Sequence, residues 1–292
     1  MSTTPSVSET QAVVPEPRAP AFDPPETTGW RGVARVPLTA VMFLTRLPCP
    51  AWVGHDAPTL SRSAVYFPVV GALVGLFGAA AYGLVGLAFA PAFAAAAALA
   101  ATIWLTGAFH EDALGDTFDG FGGGWQRDEI LRIMRDSRLG TYGTVALVLT
   151  LGSRWGALAS LDASVVLAAL VAAHTLGRWT ALPLILWLPY VRETGTGKPF
   201  AASMTPRRLV VGSAVTLAIT VVALGWAAVP VIGTVLGITL VGGWYVRSRI
   251  GGMTGDVLGA VNQLAELSVY LVLLGDWSGL AARLAVWGGG LL

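Results

Sequence analysis

The chain has 292 residues, of which 54% are hydrophobic and only 12% charged, with a formal net charge of +1 and a mean hydropathy of +0.67. Soluble domains carry roughly 25% charged residues, so this chain has too little charge to coat a water-facing surface, and its apolar residues must face lipid. The near-zero net charge gives no reason to expect nucleic acid as a partner, and a lone Cys49 excludes an internal disulfide or a cysteine metal cluster.

Residues 1–30 hold six prolines among Ser, Thr and Glu, with almost no apolar clustering. Such a segment cannot bury enough surface to offset its ordering entropy, so a disordered tail is predicted. No positively charged start leads into an apolar run there, which argues against a cleaved signal peptide. Residues 31–292 read as one transmembrane catalytic domain. Within it, residues 33–47 are apolar but short and contain Pro37, which fits an interfacial or re-entrant helix.

A bilayer core of ~30 Å needs ~20 apolar residues of helix. That ruler predicts seven spans, at about 64–88, 91–109, 141–161, 163–188, 209–228, 230–247 and 257–275. Residues 279–292 are too short to be an eighth and read as another interfacial segment. The fold class expected is all-α, a polytopic bundle of about seven transmembrane helices with short interfacial or re-entrant helices.

Arg and Lys concentrate in the segments 110–140, 189–208 and 247–256, while the alternate connectors near 90, 162 and 229 have none. Basic loops stay in the cytoplasm. The N-terminus and all three charged loops are therefore predicted on the cytoplasmic side of the cell (inner) membrane.

The densest acidic group runs from His110 through Glu111, Asp112 and Asp116 to Asp119, at the end of the second predicted span. If the helix continues through it, Asp112, Asp116 and Asp119 fall within about 60° of one another. Glu111 and His110 turn away and would orient the site from behind. Carboxylates so close repel one another, and all-oxygen donors suit a hard cation such as Mg²⁺, which takes one or two carboxylates, waters and substrate phosphates. A solvated acidic cluster at the membrane surface is the plainer alternative.

Next comes Arg135-Asp136-Ser137-Arg138, before a helix expected to start near Gly140. Its arginines offer planar donors to phosphate, and the helix start offers free backbone N–H groups. Ordinary positive-inside arginines, with Asp136 or Ser137 as a helix cap, explain the same pattern. In the last charged segment, Gly251, Gly255 and Gly259 repeat every four residues around Asp256. Asp256 is either a further metal or hydroxyl contact or a helix cap beside a small-residue packing face. Arg154, His174, Arg178 and Glu266 fall inside predicted spans, where they must face the bundle interior or a wet cavity. Asn262 and Glu266 share a helix face and would line one pocket.

Five stretches, FLTRLP (43–48), FPVVGALVG (67–75), LTGAFHEDALGDTFDGFGGG (105–124), ILRIMRDSRLGTYG (130–143) and GGMTGDVLGA (251–260), resemble the cobalamin synthase family of adenosylcobinamide-GDP ribazoletransferases. They occur in the family's order across residues 35–275. Ala113 and Gly115 stand where the family more often has Gly and Ala, and Arg135 where it often has Lys, which leaves every carboxylate in place.

The resemblance implies a Mg²⁺-dependent, multi-pass membrane transferase of cobalamin biosynthesis. Its partners would be adenosylcobinamide-GDP and α-ribazole or its 5′-phosphate, with GMP released, in a lipid bilayer and with homo-oligomerisation left open. Asp112, Asp116 and Asp119, with Glu111 beside them, would hold the metal. Asp119 or Asp256 would accept the hydroxyl proton, with His110 as the rival base. Arg135, Asp136, Ser137, Arg138 and Lys198, together with Arg178, Asn262 and Glu266, would bind substrate. A CDP-alcohol phosphatidyltransferase would need the same metal chemistry but has a different aspartate signature, and a transporter would hold its ionisable residues at the bilayer midplane.

Overall fold

The computed structural model describes residues 29–54, 56–195, 197–201 and 204–275. Nearly all of the proline-rich tail, and all of 279–292, lie outside the described residues. Within them the chain is helical, with no strand beyond an isolated bridge between Tyr190 and Met253. The helices are α1 (Trp30–Leu44), α2 (Ala57–Ser63), α3 (Phe67–Gly86), α4 (Pro91–Thr106), α5 (Phe109–Gly123), α6 (Arg127–Ile133), α7 (Thr141–Ser160), α8 (Ala163–Trp179), α9 (Ala181–Trp187), α10 (Lys198–Ala201), α11 (Pro206–Leu224), α12 (Ala228–Ile250) and α13 (Gly255–Leu274). The all-α class is as expected.

Four stretches among the described residues are long and apolar enough to cross a membrane: Ala57–Gly86, Ala163–Trp187, Pro206–Ile250 and Gly255–Leu274. A fifth qualifies only when α4 and α5 are joined across a bend of 88°. The shortfall from about seven has physical causes. At 16 residues α4 is short, and α7 carries Arg154 in its apolar run. The 45 residues from Pro206 to Ile250 form a single stretch by hydropathy, although helix gives way at Gly225 (φ 56°) and Ile232 lies back beside Ser213, Thr216 and Leu217.

Local chemistry sets the helix starts. Asp56, Asp162, Thr205 and Thr254 each accept a hydrogen bond from a backbone N–H in the first turn of α2, α8, α11 and α13, satisfying donors that the helix leaves free. α8 is the most enclosed span. α3 presses on it so closely that a Cβ at Gly71 would stand 2.1 Å from the His174 carbonyl oxygen and one at Gly75 2.5 Å from that of Leu170. The FPVVGALVG stretch thus buys backbone-to-backbone packing, which small residues permit in lipid. α1, with 15 residues, reaches only about 22 Å, short of a bilayer core.

The helix expected to carry the second span straight into the acidic residues is broken. Gly107 (φ 70°) and Ala108 (φ 59°) are both left-handed, a conformation that costs a non-glycine residue roughly 1–2 kcal/mol. Arg46 braces the break: its N–H donates to the Leu105 carbonyl at 2.8 Å, and its guanidinium fills the space where a side chain on Gly107 would stand. The acidic residues therefore lie on α5, a separate helix turned almost at right angles to α4.

Candidate active site

On α5, Asp112 is exposed and Asp116 half-buried on the same face. α13 crosses α5 at Ala113, where a Cβ on Gly259 would lie 2.4 Å from the alanine Cβ. The crossing brings Asp256, in the first turn of α13, toward Asp116. Burial and the neighbouring carboxylates of Asp112, Asp256 and Asp119 push Asp116 up to about 7, the expected response to desolvation and like charge. Of the glycine repeat, Gly259 packs in this way, whereas Gly251 ends α12 in a left-handed turn (φ 82°) with open space beside it.

Asp119 takes a different partner. Its two carboxylate oxygens accept hydrogen bonds from Gly140 N–H (2.6 Å) and Gly143 N–H (2.8 Å) at the start of α7. A Cβ at either glycine would come within 2.5 Å of that carboxylate. The free N–H groups expected to meet a phosphate are thus already satisfied by an anion of the protein's own, placed where the helix dipole favours it. Asp119 shares the face of Asp112 and Asp116 by helical periodicity, but its hydrogen bonds tie it to α7. Neither Asp136 nor Ser137 caps that helix.

Asp256 does not cap α13 either, since Thr254 does so. It pairs instead with Arg192 (Nη2–Oδ2 2.5 Å), a residue absent from the sequence-based set. Two backbone hydrogen bonds, Val191 N–H to Met253 O (3.1 Å) and Met253 N–H to Pro189 O (2.8 Å), clip the 189–192 segment to the turn before α13 and aim Arg192 at the aspartate. The only sequence signal for it was its place in a basic loop. Its Nε is buried without a partner.

Glu111 and Glu266 belong to the bundle interior. Arg154 of α7 pairs with Glu266 of α13 at 2.6 Å and stands 3.6 Å from Glu111. Arg178 and His174 of α8 both contact Glu266. Asn262 donates to Glu266 at 2.8 Å and Gln263 to Glu111 at 3.0 Å. Two guanidiniums face two carboxylates, so the network balances its own charge. Glu111 therefore looks inward, away from Asp112.

The remaining sequence-derived residues sit apart. Arg138 is exposed and holds Asp136 through a 2.7 Å ion pair, which pulls the Asp136 pKa down to about 2. Arg135 and Ser137 are exposed. Arg135 shares a pocket with Arg127, Arg132 and Glu193, while Asp119, Asp136 and Arg138 line its neighbour. Lys198 is exposed and donates to the Glu193 carbonyl at 2.6 Å. His110 and Asn262 are buried at a separate cavity that Arg178 also lines.

Among the described residues no three His, Cys, Asp or Glu side chains converge tightly enough to cage an ion. The donor set nevertheless fits Mg²⁺, which keeps several waters and takes only one or two carboxylates plus substrate phosphates. Asp112 and Asp116 would supply those oxygens, with Asp256 beside them.

The Cobalamin-5-phosphate synthase family model matches residues 37–274. An adenosylcobinamide-GDP ribazoletransferase from Shewanella piezotolerans is 39% identical over 251 residues, covering 84% of this chain and 96% of the relative. One from Ralstonia nicotianae is 42% identical over 240 residues, covering 80% and 93%. No solved structure matches. With a match that takes in all of α3 to α13 and the acidic rim itself, the chain belongs to the Cobalamin-5-phosphate synthase family.

Proposed function

We propose that this chain is a Mg²⁺-dependent adenosylcobinamide-GDP ribazoletransferase of the cell (inner) membrane. It joins adenosylcobinamide-GDP to α-ribazole, or to its 5′-phosphate, and releases GMP. The observation that carries the reading is the Asp112–Asp116–Asp256 rim beside Arg192, in a chain 39% identical to a protein of that name over nearly the relative's whole length.

The reaction moves a phosphoryl group, so the protein's work is positioning and charge neutralisation. Asp112 and Asp116 would hold Mg²⁺, which when bound would supply positive charge to the diphosphate. Arg192, free to leave Asp256 when that carboxylate is otherwise neutralised, binds the phosphate that departs with GMP. A ribazole hydroxyl attacks the phosphorus attached to cobinamide, the bond to the bridging oxygen breaks, and the hydroxyl proton passes to Asp256. Asp119 holds the α5–α7 corner rather than a reactant. Arg132 and Arg135 in the basic pocket receive the outer phosphate and the nucleoside of the GDP moiety.

Seven spans, formed by α3, α4, α7, α8, α11, α12 and α13, with the charged loops cytoplasmic, accord with the arginine-free alternate connectors and with the fold-back of α12 on α11. The test is GMP release from adenosylcobinamide-GDP by the purified protein in detergent, with and without Mg²⁺ and α-ribazole. Release that needs both supports the reading; no release under any condition refutes it.

A further inference from the structure

Between α7 and α12 the outside of the bundle opens into a cleft floored by α13, and the proposed reaction leaves it unused. It holds about 390 Å³ of free space. Val257 and Leu264 mark its two ends on α13, about 10 Å apart along the helix axis, a good part of the ~15 Å that one leaflet contributes to a bilayer core. The residues that flank it, Val145 on α7 and Val241 on α12, are apolar and exposed. The cleft therefore faces the surroundings of the bundle and not its interior.

Its wall is aromatic toward the end of α12. The Phe121 and Tyr245 rings meet at 5.2 Å, centroid to centroid, and join α5 to α12. The Tyr142 ring rests on Gly122, where a Cβ would stand 2.4 Å from it. Tyrosines gather where a span meets the lipid headgroups. One turn beyond Tyr245, Arg249 holds its guanidinium 5.9 Å over that ring and donates one N–H to the Gly124 carbonyl at 3.2 Å. Among the described residues Arg249 pairs with no carboxylate, and Arg247 stands exposed in the same last turn of α12. Inside the cleft Thr117 is 7% exposed, and its hydroxyl lacks a hydrogen-bond partner. A polar atom so placed costs free energy unless a ligand supplies the missing bond.

We infer that this cleft binds one anionic phospholipid, with an acyl chain laid along α13 and the phosphate against Arg249. The inference does not depend on the transferase reading. An acyl chain matches the apolar floor, an ester carbonyl supplies the acceptor that Thr117 lacks, and a negative headgroup meets two arginines at the span end, where basic residues attract anionic lipids. A zwitterionic headgroup brings a cation of its own to that place. A corrinoid fits less well, because it carries amides around its ring edge that an apolar wall with one hydroxyl would leave unsatisfied.

The experiment uses the full chain, delipidated in a non-ionic detergent and titrated with phosphatidylglycerol or with phosphatidylcholine of the same acyl chains. Native mass spectrometry counts the lipids each chain retains, and the thermal midpoint checks that each variant folds. Leu264→Trp fills the cleft from its floor, while Arg249→Gln removes the charge and keeps a donor for Gly124. One phosphatidylglycerol should be retained per chain, roughly tenfold more tightly than phosphatidylcholine. Leu264→Trp should weaken it by about tenfold or more. Arg249→Gln should weaken it about fivefold, the worth of one basic contact to an anionic headgroup, and leave phosphatidylcholine unchanged.

Equal affinity for the two lipids, or unchanged phosphatidylglycerol binding in folded Leu264→Trp, overturns the assignment. So does displacement of the lipid by adenosylcobinamide, which gives the cleft to the corrinoid, or a dimer that Leu264→Trp dissolves, which gives it to a second copy of the chain. Should Leu264→Trp not fold, Arg249→Gln decides together with Thr117→Val, for which a loss of about threefold is expected from the missing hydroxyl; no loss in either overturns the site. Lipid selectivity in a protein that releases no GMP overturns the proposed reaction and leaves the lipid site standing.

Discussion

α5 and α13 bring two ionisable clusters together within a few residues of each other, and the two differ in charge balance. In the interior, Glu111 and Glu266 face Arg154 and Arg178, with His174, Asn262 and Gln263 completing the contacts. At the rim, Asp112, Asp116 and Asp256 face one guanidinium, that of Arg192. The balanced set matches two guanidiniums to two carboxylates and ties α5, α7, α8 and α13 to one another. The unbalanced set is left wanting a cation. Family motifs alone would not separate these roles, because both clusters are built from the same residue types on the same helices.

The sharpest way to break the comparison is to unbalance the interior. Glu266→Ala leaves two buried guanidiniums with one carboxylate and is expected to cost about 3–5 kcal/mol. A large fall in the thermal midpoint of the detergent-solubilised protein would report it; an unchanged midpoint would show that the network is not structural.

Asp116→Asn should do the opposite. Because the folded-state pKa of Asp116 is raised from 3.8 to about 7, its ionisation opposes folding, an effect absent below the unfolded value, growing as pH rises toward about 7 and level above it. The thermal midpoint is therefore expected unchanged or higher, while turnover falls by ~10²–10³. Near-normal turnover would remove Asp116 from the site.

Arg192→Ala is next in size. It leaves the fold intact but removes the cation beside Asp256, and a loss of about 10–100-fold in kcat/KM for adenosylcobinamide-GDP is expected, partly restored by lysine, with α-ribazole KM unaffected. Equal loss for both substrates would make Arg192 a brace for the 189–192 clip.

The smallest effect is a pH dependence. In the proposed site Mg²⁺ would have to displace the Asp116 proton, so Mg²⁺ affinity should weaken about tenfold per pH unit below about 7 and level off above it. Calorimetric Mg²⁺ titrations between pH 5.5 and 8 would read the slope, and Asp116→Asn should abolish it.

Much of the helical layout was legible in the sequence. The predicted spans 141–161, 230–247 and 257–275 match Thr141–Ser160, Ala228–Ile250 and Gly255–Leu274 to within a few residues, since apolar run length and capping residues are local properties. The break at Gly107–Ala108 was not legible: alanine gives no warning of a left-handed backbone, and the bend depends on Arg46 from α1's end. The acidic face itself was visible from spacing, but the partner of each carboxylate was not.

By itself the sequence determined the membrane class, the helical elements and the face on which the acidic residues gather, because hydropathy and the 3.6-residue period act over a single turn or span. Only the tertiary structure decided that Asp119 binds the start of α7, that Glu111 turns inward to Arg154 and Gln263, and that Arg192 meets Asp256. A helix fixes which way a side chain leaves its own axis. Its partner depends on which distant helix packs across that face, and close approaches at Gly71, Gly75 and Gly259 set that packing.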